Sequence, residues 1–212
     1  MKVGTDAVLL GSWATAGDPG RILDLGTGCG ILALMMAQRT RARIDAIDVH
    51  DASVAEASAN FIHSPWTDRL RSVLTDVRKW EPGYSYDRII TNPPYFDKQL
   101  AAASPARNLA RHSLPPEELA FHARRLLNED GILSLITPWS LRDTFANALT
   151  GQGLYLLRSA PVITTPGRAP HLLLQEYTPG VTKTRAESPI ILTDSHGRRS
   201  PEYAALTRDF YL

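Results

Sequence analysis

The residues with the clearest capacity for chemistry are Asn92-Pro93-Pro94-Tyr95, which follow the apolar run Tyr86-Asp87-Arg88-Ile89-Ile90-Thr91. An apolar run halted by Asn-Pro-Pro reads as a buried parallel strand passing into a rigid loop. The two prolines hold φ at about −65° and donate no backbone N–H. The carbonyl of Pro93 and the side-chain amide of Asn92 can then point together into a cleft, with Tyr95 offering an aromatic face. That set suits a planar ring with an exocyclic NH2, because two oxygens accept the amino hydrogens while the ring stacks on the tyrosine. Asn-Pro also occurs in plain turns, so the reading leans on the residues upstream.

Upstream, Arg21-Ile22-Leu23-Asp24-Leu25 reads as a buried strand running into Gly26-Thr27-Gly28-Cys29-Gly30, and Ile31 to Arg39 reads as a helix. Strand, glycine loop and helix open an α/β nucleotide-binding unit. The glycines let the backbone approach a ligand, and the helix start offers free N–H groups. Ile31 breaks the G-x-G-x-x-G dinucleotide pattern, which disfavours a nicotinamide dehydrogenase. The second strand, Arg43 to Val49, carries Asp48, placed to accept hydrogen bonds from ribose hydroxyls. The third, Leu70 to Asp76, ends in an acid placed to accept from an adenine amino group. Each acid has a plainer reading as a cap or turn residue, and Asp51 is a competing helix cap for the first.

These candidates need elements to position them. Asp6 is expected to cap a short helix with Val8, Leu9 and Trp13 on its apolar face, before a turn at Asp18-Pro19-Gly20. Asp51 to Phe61 reads as a helix. Phe96 to Ser113 has no apolar period and holds Lys98, Arg107, Arg111 and His112, so residues 96–113 are expected to form a mobile, basic substrate loop. Pro115-Pro116-Glu117-Glu118 opens a helix with Leu119, Phe121, Ala123, Leu126 and Leu127 on its apolar face. Gly131 to Pro138 is a fifth strand, and Ser140 to Thr150 a helix closed by Gly151. Leu154 to Val162 and His171 to Tyr177, linked by Ile163 to Pro170 with Arg168, should pair antiparallel. Ile190-Ile191-Leu192, a turn at Asp194-Ser195-His196-Gly197 and a helix from Pro201 to Tyr211 complete the chain. The expected fold is α/β: a Rossmann-like, seven-stranded, mostly parallel sheet with an antiparallel last strand, helices on both faces and a ligand at the strand C-termini.

A chain of 212 residues fits one domain with its own core. The one cysteine, Cys29, excludes an internal disulfide and a multi-cysteine zinc site. Net charge of +1 gives no global field for a polyanion, although 19 of the 23 basic residues are arginine, the type suited to bidentate phosphate contact. A high-GC coding bias would enrich arginine equally. No run approaches the roughly 18 apolar residues of a membrane span, and Asp6 interrupts any signal-peptide pattern. A cytoplasmic protein without membrane attachment is expected.

Asp24-Leu25-Gly26-Thr27-Gly28-Cys29-Gly30 resembles the cofactor loop of class I S-adenosylmethionine-dependent methyltransferases, and Asn92-Pro93-Pro94-Tyr95 resembles the signature of amino-group methylases acting on adenine, cytosine or glutamine. Lys2-Val3-Gly4-Thr5-Asp6, Ser64-Pro65-Trp66, Asn92 to Phe96, Ala110-Arg111-His112 and Glu202-Tyr203 through Leu206-Thr207 to Asp209-Phe210-Tyr211-Leu212 together resemble the bacterial tRNA1(Val) adenine-37 N6-methyltransferase family over nearly the whole chain. Members usually carry a short aromatic and basic stretch ahead of Lys-Val-Gly-Thr-Asp, where this sequence has Met1 alone.

The resemblance implies methyl transfer from S-adenosylmethionine to an adenine N6 in tRNA, leaving S-adenosylhomocysteine, with no metal and a monomeric enzyme. It implies one methyltransferase domain over residues 1–212, with a cofactor-side segment at 1–17 and a C-terminal extension at 180–212. Asn92, Pro93, Pro94 and Tyr95 become catalytic candidates. Thr5, Asp24, Gly26, Thr27, Gly28, Gly30, Asp48, Val49, Asp76, Val77 and Asn92 become cofactor candidates. Phe96, Lys98, Arg107, Arg111, His112 and Arg168 become tRNA candidates. The alternatives are an N5-glutamine protein methyltransferase, for whose usual N-terminal helical domain the chain has no room, and an rRNA or DNA adenine N6-methyltransferase. A non-catalytic adenosine-cofactor or RNA-binding module would not need Asn92.

Overall fold

Alternation of side chains across the central strands decides the layers. Ile22 and Leu23 are both fully buried, yet they belong to two separate apolar clusters, and Ala46 and Ile47, Ile90 and Ile89, and Ile136 and Leu135 divide in the same way. Successive strand residues face opposite sides, so these strands need helices over both faces. A computed structural model describes residues 4–93, 114–181 and 183–210.

The strands are β1 (Arg21–Leu25), β2 (Arg43–Asp48), β3 (Leu70–Leu74), β4 (Tyr86–Thr91), β5 (Leu127–Pro138), β6 (Tyr155–Ile163), β7 (Leu172–Thr178), β8 (Arg185–Ala186) and β9 (Ile190–Ile191). They form one sheet in the order β3-β2-β1-β4-β5-β7-β6-β8, with β9 also on β6. β1 to β5 pair in parallel, and β7 runs antiparallel to both β5 and β6. The seven-stranded plan with one reversed strand is therefore present, and two short strands extend its edge. The chain leaves β1 towards β2 on one side and later enters β4 on the other. Such a switch point opens a crevice beyond the strand C-termini.

The helices are α1 (Thr5–Trp13), α2 (Ile31–Arg39), α3 (Asp51–Ile62), α4 (Pro116–Leu126), α5 (Arg142–Gly151) and α6 (Pro201–Thr207). One apolar cluster gathers residues of α1, α2, α3 and α6 against the sheet, and the other gathers α4 and α5. Tyr203 of α6 is buried in the first cluster, so the C-terminal segment shares the core of the sheet.

Four local expectations are corrected. Gly4, not Asp6, is the N-cap of α1, Asp6 sits within the first turn, and burial pushes its carboxyl pKa up. Phe121 is half exposed, while Ala120 and His122 are buried with Leu119, Ala123 and Leu126, so the inner stripe of α4 is rotated from the expected one. β5 starts at Leu127, directly after α4. The last helix stops at Thr207, before a turn at 208–210.

Candidate active site

The glycine loop gains its shape from the chain on either side. Gly26, Gly28 and Gly30 all have positive φ (74°, 56° and 84°), a region that side-chain-bearing residues rarely adopt. At Gly30 a Cβ would also lie 2.5 Å from the ring of Phe61 on α3, so close helix contact adds a second demand for glycine. The amides of Gly26 and Thr27 donate to the Ile47 carbonyl at the end of β2, at 2.9 and 3.0 Å. Asn60 of α3 donates through Nδ2 to the Cys29 carbonyl at 2.8 Å.

Two carboxylates brace this loop from different sides. Asp24 has no exposed surface, and its Oδ2 accepts from the Thr27 hydroxyl at 2.6 Å and the Ala33 amide at 3.1 Å. Its Oδ1 is buried with no hydrogen-bond partner. Burial pushes the Asp24 pKa up to about 7, against the two hydrogen bonds that favour the anion. Asp48, at the end of β2, accepts from the Gly28 amide on Oδ2 (3.0 Å) and from the His50 amide on Oδ1 (2.9 Å). It is buried but reaches the surface of the crevice.

That crevice is a cavity of about 290 Å³ over the C-terminal ends of β1 to β4. Gly26 and Gly28 line one side, Asp48 and Val49 the next, and Asp76 and Val77 follow β3. Thr91, Asn92 and Pro93 close it from β4, and Leu114 and Leu119 add an apolar wall. Asp76 also caps the short turn Val77–Lys79, its Oδ1 accepting from the Arg78 amide at 2.9 Å. Asp76 is thus a cap, its plainer reading, and it also faces the cavity. Arg78 Nε lies 2.8 Å from Glu118 Oε2, which ties that turn to the first turn of α4. Both side chains are near half exposed, so the pair adds at most about 1 kcal/mol.

The structure thus gathers Gly26, Gly28, Asp48, Val49, Asp76, Val77, Asn92 and Pro93 on one cavity. Asp24, Thr27 and Gly30 do not line it, and they hold the loop from beneath. Thr5 is exposed in the first turn of α1, and Arg168 is exposed in the connection between β6 and β7, and neither lines the cavity. Pro94, Tyr95, Phe96, Lys98, Arg107, Arg111 and His112 lie outside the described residues. Among the described residues no group of His, Cys, Asp or Glu could hold a metal ion, and no helix is long and apolar enough to cross a membrane.

Thr91 escaped the sequence reading. Its hydroxyl, fully buried, donates to the Leu25 carbonyl at 2.8 Å. The β1–β4 ladder pairs Asp24 with Ile90, and the hydroxyl carries the link one residue further. It thereby fixes the start of the glycine loop relative to Asn92. A threonine directly before Asn-Pro, at the end of a buried strand, was the available signal.

Comparison with known proteins gives the arrangement its context. Residues 3–144 match a family described as "Methyltransferase small domain". A protein of Phocaeicola vulgatus named tRNA1(Val) (adenine(37)-N6)-methyltransferase is 41% identical over 214 residues, covering 100% of this chain and 91% of that protein. A protein of the same name from Tolumonas auensis is 41% identical over 216 residues, covering 100% and 90%. Among solved structures, a predicted O-methyltransferase of Agrobacterium tumefaciens has a TM-score of 0.76 at 20% identity, with 96% of each chain covered. The N-methyltransferase NodS of Bradyrhizobium japonicum, in complex with S-adenosylhomocysteine, has a TM-score of 0.57 at 15% identity, with 80% of this chain and 82% of that one covered. These two likenesses concern the fold.

Proposed function

Because the chain belongs to the tRNA1(Val) (adenine(37)-N6)-methyltransferase family, we propose that it methylates the N6 amino group of adenine 37 in a valine tRNA. The observation that carries this reading is the meeting of Asn92 and Pro93 with the glycine loop and two strand-end acids on one cavity.

The cavity suits S-adenosylmethionine. Gly26 and Gly28 present backbone without a Cβ, Asp48 offers carboxylate oxygens for ribose hydroxyls, and Val77, Leu114 and Leu119 give an apolar slot for a purine with Asp76 at its edge. When bound, that cofactor supplies a methyl group on a positively charged sulfonium, open to attack by a nitrogen lone pair.

The chain's own task is then positioning. The Asn92 side-chain oxygen and the Pro93 carbonyl would accept the two N6 hydrogens of an adenine turned out of its stack. That holds the amino group so that its lone pair is aimed along one direction. Tyr95 would hold the ring by stacking, with Pro94 stiffening the turn. Orientation supplies most of the rate gain, and no strong base is needed because the proton leaves after the new C–N bond has formed. Phe96, Lys98, Arg107, Arg111, His112 and Arg168 remain the candidate contacts to the RNA.

Asn92→Ala tests this assignment. Calorimetric affinity for S-adenosylmethionine should stay within about threefold, while methyl transfer to tRNA should fall by at least about 100-fold, the loss expected when an orienting contact goes. An equal loss of cofactor binding would remove Asn92 from the amino-group role.

A further inference from the structure

At the β6–β8 edge of the sheet, on the face that α1 and α2 cover, four cationic side chains face a second cavity of about 570 Å³. Arg39 ends α2, Arg158 lies on β6, and Lys183 and Arg185 come from the chain around β8, with Trp13 and Thr15 completing the wall. Three carboxylates bear on these four cations, Glu176 and Glu187 in direct contact with members of the set and Asp209 on Arg39 alone. Glu176, fully buried, takes Arg158 Nε at 2.6 Å and also the Thr15 amide and hydroxyl. Glu187 takes Arg158 Nη1 at 3.2 Å, the Trp13 indole N–H at 2.8 Å and the Arg185 guanidinium.

Arg39 donates through Nη1 to the Gly11 carbonyl at 2.6 Å. Asp209 acts on it from outside the cavity, and Arg158 repels it across the cavity. Burial, and then that repulsion, lower the Arg39 pKa. Like charges from separate elements are thus held in a concave, partly desolvated site with cationic charge in excess. An anion with several acceptor oxygens would relieve the repulsion and take the remaining donors of Arg39, Lys183 and Arg185, Arg158 being engaged by Glu176, Glu187, Trp13 and Thr15.

We propose that this cavity is a second ligand site, for a phosphate-class oxyanion. Its source is either a free phosphate compound or a backbone phosphate of bound RNA. The site stands whether or not the chain methylates tRNA, since only the RNA source rests on the proposed function.

The test is titration of inorganic phosphate into the full chain at constant ionic strength, for wild type, Lys183→Gln/Arg185→Gln and Arg39→Gln. Both side chains of the double variant are exposed, so it should fold even if Arg39→Gln does not. The expected result is saturable binding that the variants weaken at least tenfold, with S-adenosylmethionine affinity unchanged. A parallel tRNA titration separates the sources. An RNA phosphate as ligand predicts weaker tRNA binding in the double variant and a log affinity–log salt slope smaller by about one. Unchanged tRNA binding with lost phosphate binding identifies a free anion. Phosphate that does not saturate, together with unchanged tRNA binding, overturns the proposal, and so does saturation that every folded variant leaves intact.

Discussion

Asp24→Asn isolates the electrostatic cost of the glycine loop. Asp24 has no exposed surface and, among the described residues, no cation acting on it, and burial pushes its pKa up from 3.8 to about 7. The folded protein therefore holds this proton more tightly than the unfolded chain. Stability from this group is fully present below about pH 4 and is lost as pH rises from about 4 to about 7. A rise of roughly three units, at 1.36 kcal/mol each, amounts to about 4 kcal/mol across that window.

Asparagine keeps a carbonyl for the Thr27 hydroxyl and the Ala33 amide but carries no charge. Its NH2 would occupy the place of Oδ1, which has no partner, at a cost of about 1–3 kcal/mol that does not vary with pH. Urea unfolding of both proteins at half-unit steps from pH 4.5 to 8 reads the difference directly. The variant's stability relative to wild type should climb by about 3 kcal/mol over the series, the first part of the loss lying below pH 4.5. A difference flat with pH would refute the claim that Asp24 is a strained, late-ionising carboxyl.

Other perturbations probe separate joints. Gly30→Ala adds a Cβ 2.5 Å from Phe61 at a φ of 84° and should cost about 2–4 kcal/mol in urea unfolding, of which Phe61→Leu in the same chain should restore the steric part alone. Glu176→Ala strips Arg158 of its buried partner and should cost about 3–5 kcal/mol by thermal or urea unfolding. Thr91→Val keeps shape but removes the hydroxyl's hydrogen bond to the Leu25 carbonyl, which should cost about 0.5–1.5 kcal/mol and lower kcat more than it raises the KM for cofactor, while Thr91→Ser should stay near wild type.

Much of the architecture was legible because buried parallel strands announce themselves as apolar runs. Arg21–Leu25 and Tyr86–Thr91 are found where the runs stand, and the short link before Leu172 marks an antiparallel pair. The helix faces were less legible. At α4 the stripe includes His122 and leaves Phe121 outside, because helical spacing with Leu119, Ala123 and Leu126, rather than side-chain apolarity, puts residue 122 on the inner face. At the cavity, Asp48, Asp76 and Asn92 could be placed because each lies at or within two residues of a strand's C-terminal end. The Arg158–Glu176 knot could not be read in advance: Thr15 and Glu176 stand 161 positions apart, and no local pattern joins them. Thr91 carried a local signal but no stated partner for a related reason, since its hydroxyl matters only once β1 lies beside β4.

The central claim is tested most directly by incubating the protein with methyl-labelled S-adenosylmethionine and unmodified valine tRNA, with bulk tRNA, rRNA and protein extract as competitors, and mapping the labelled nucleoside. The account predicts label as N6-methyladenosine at position 37 of the valine tRNA, lost in Asn92→Ala. Label on a protein glutamine, or on an adenine of rRNA in preference to the valine tRNA, would contradict it.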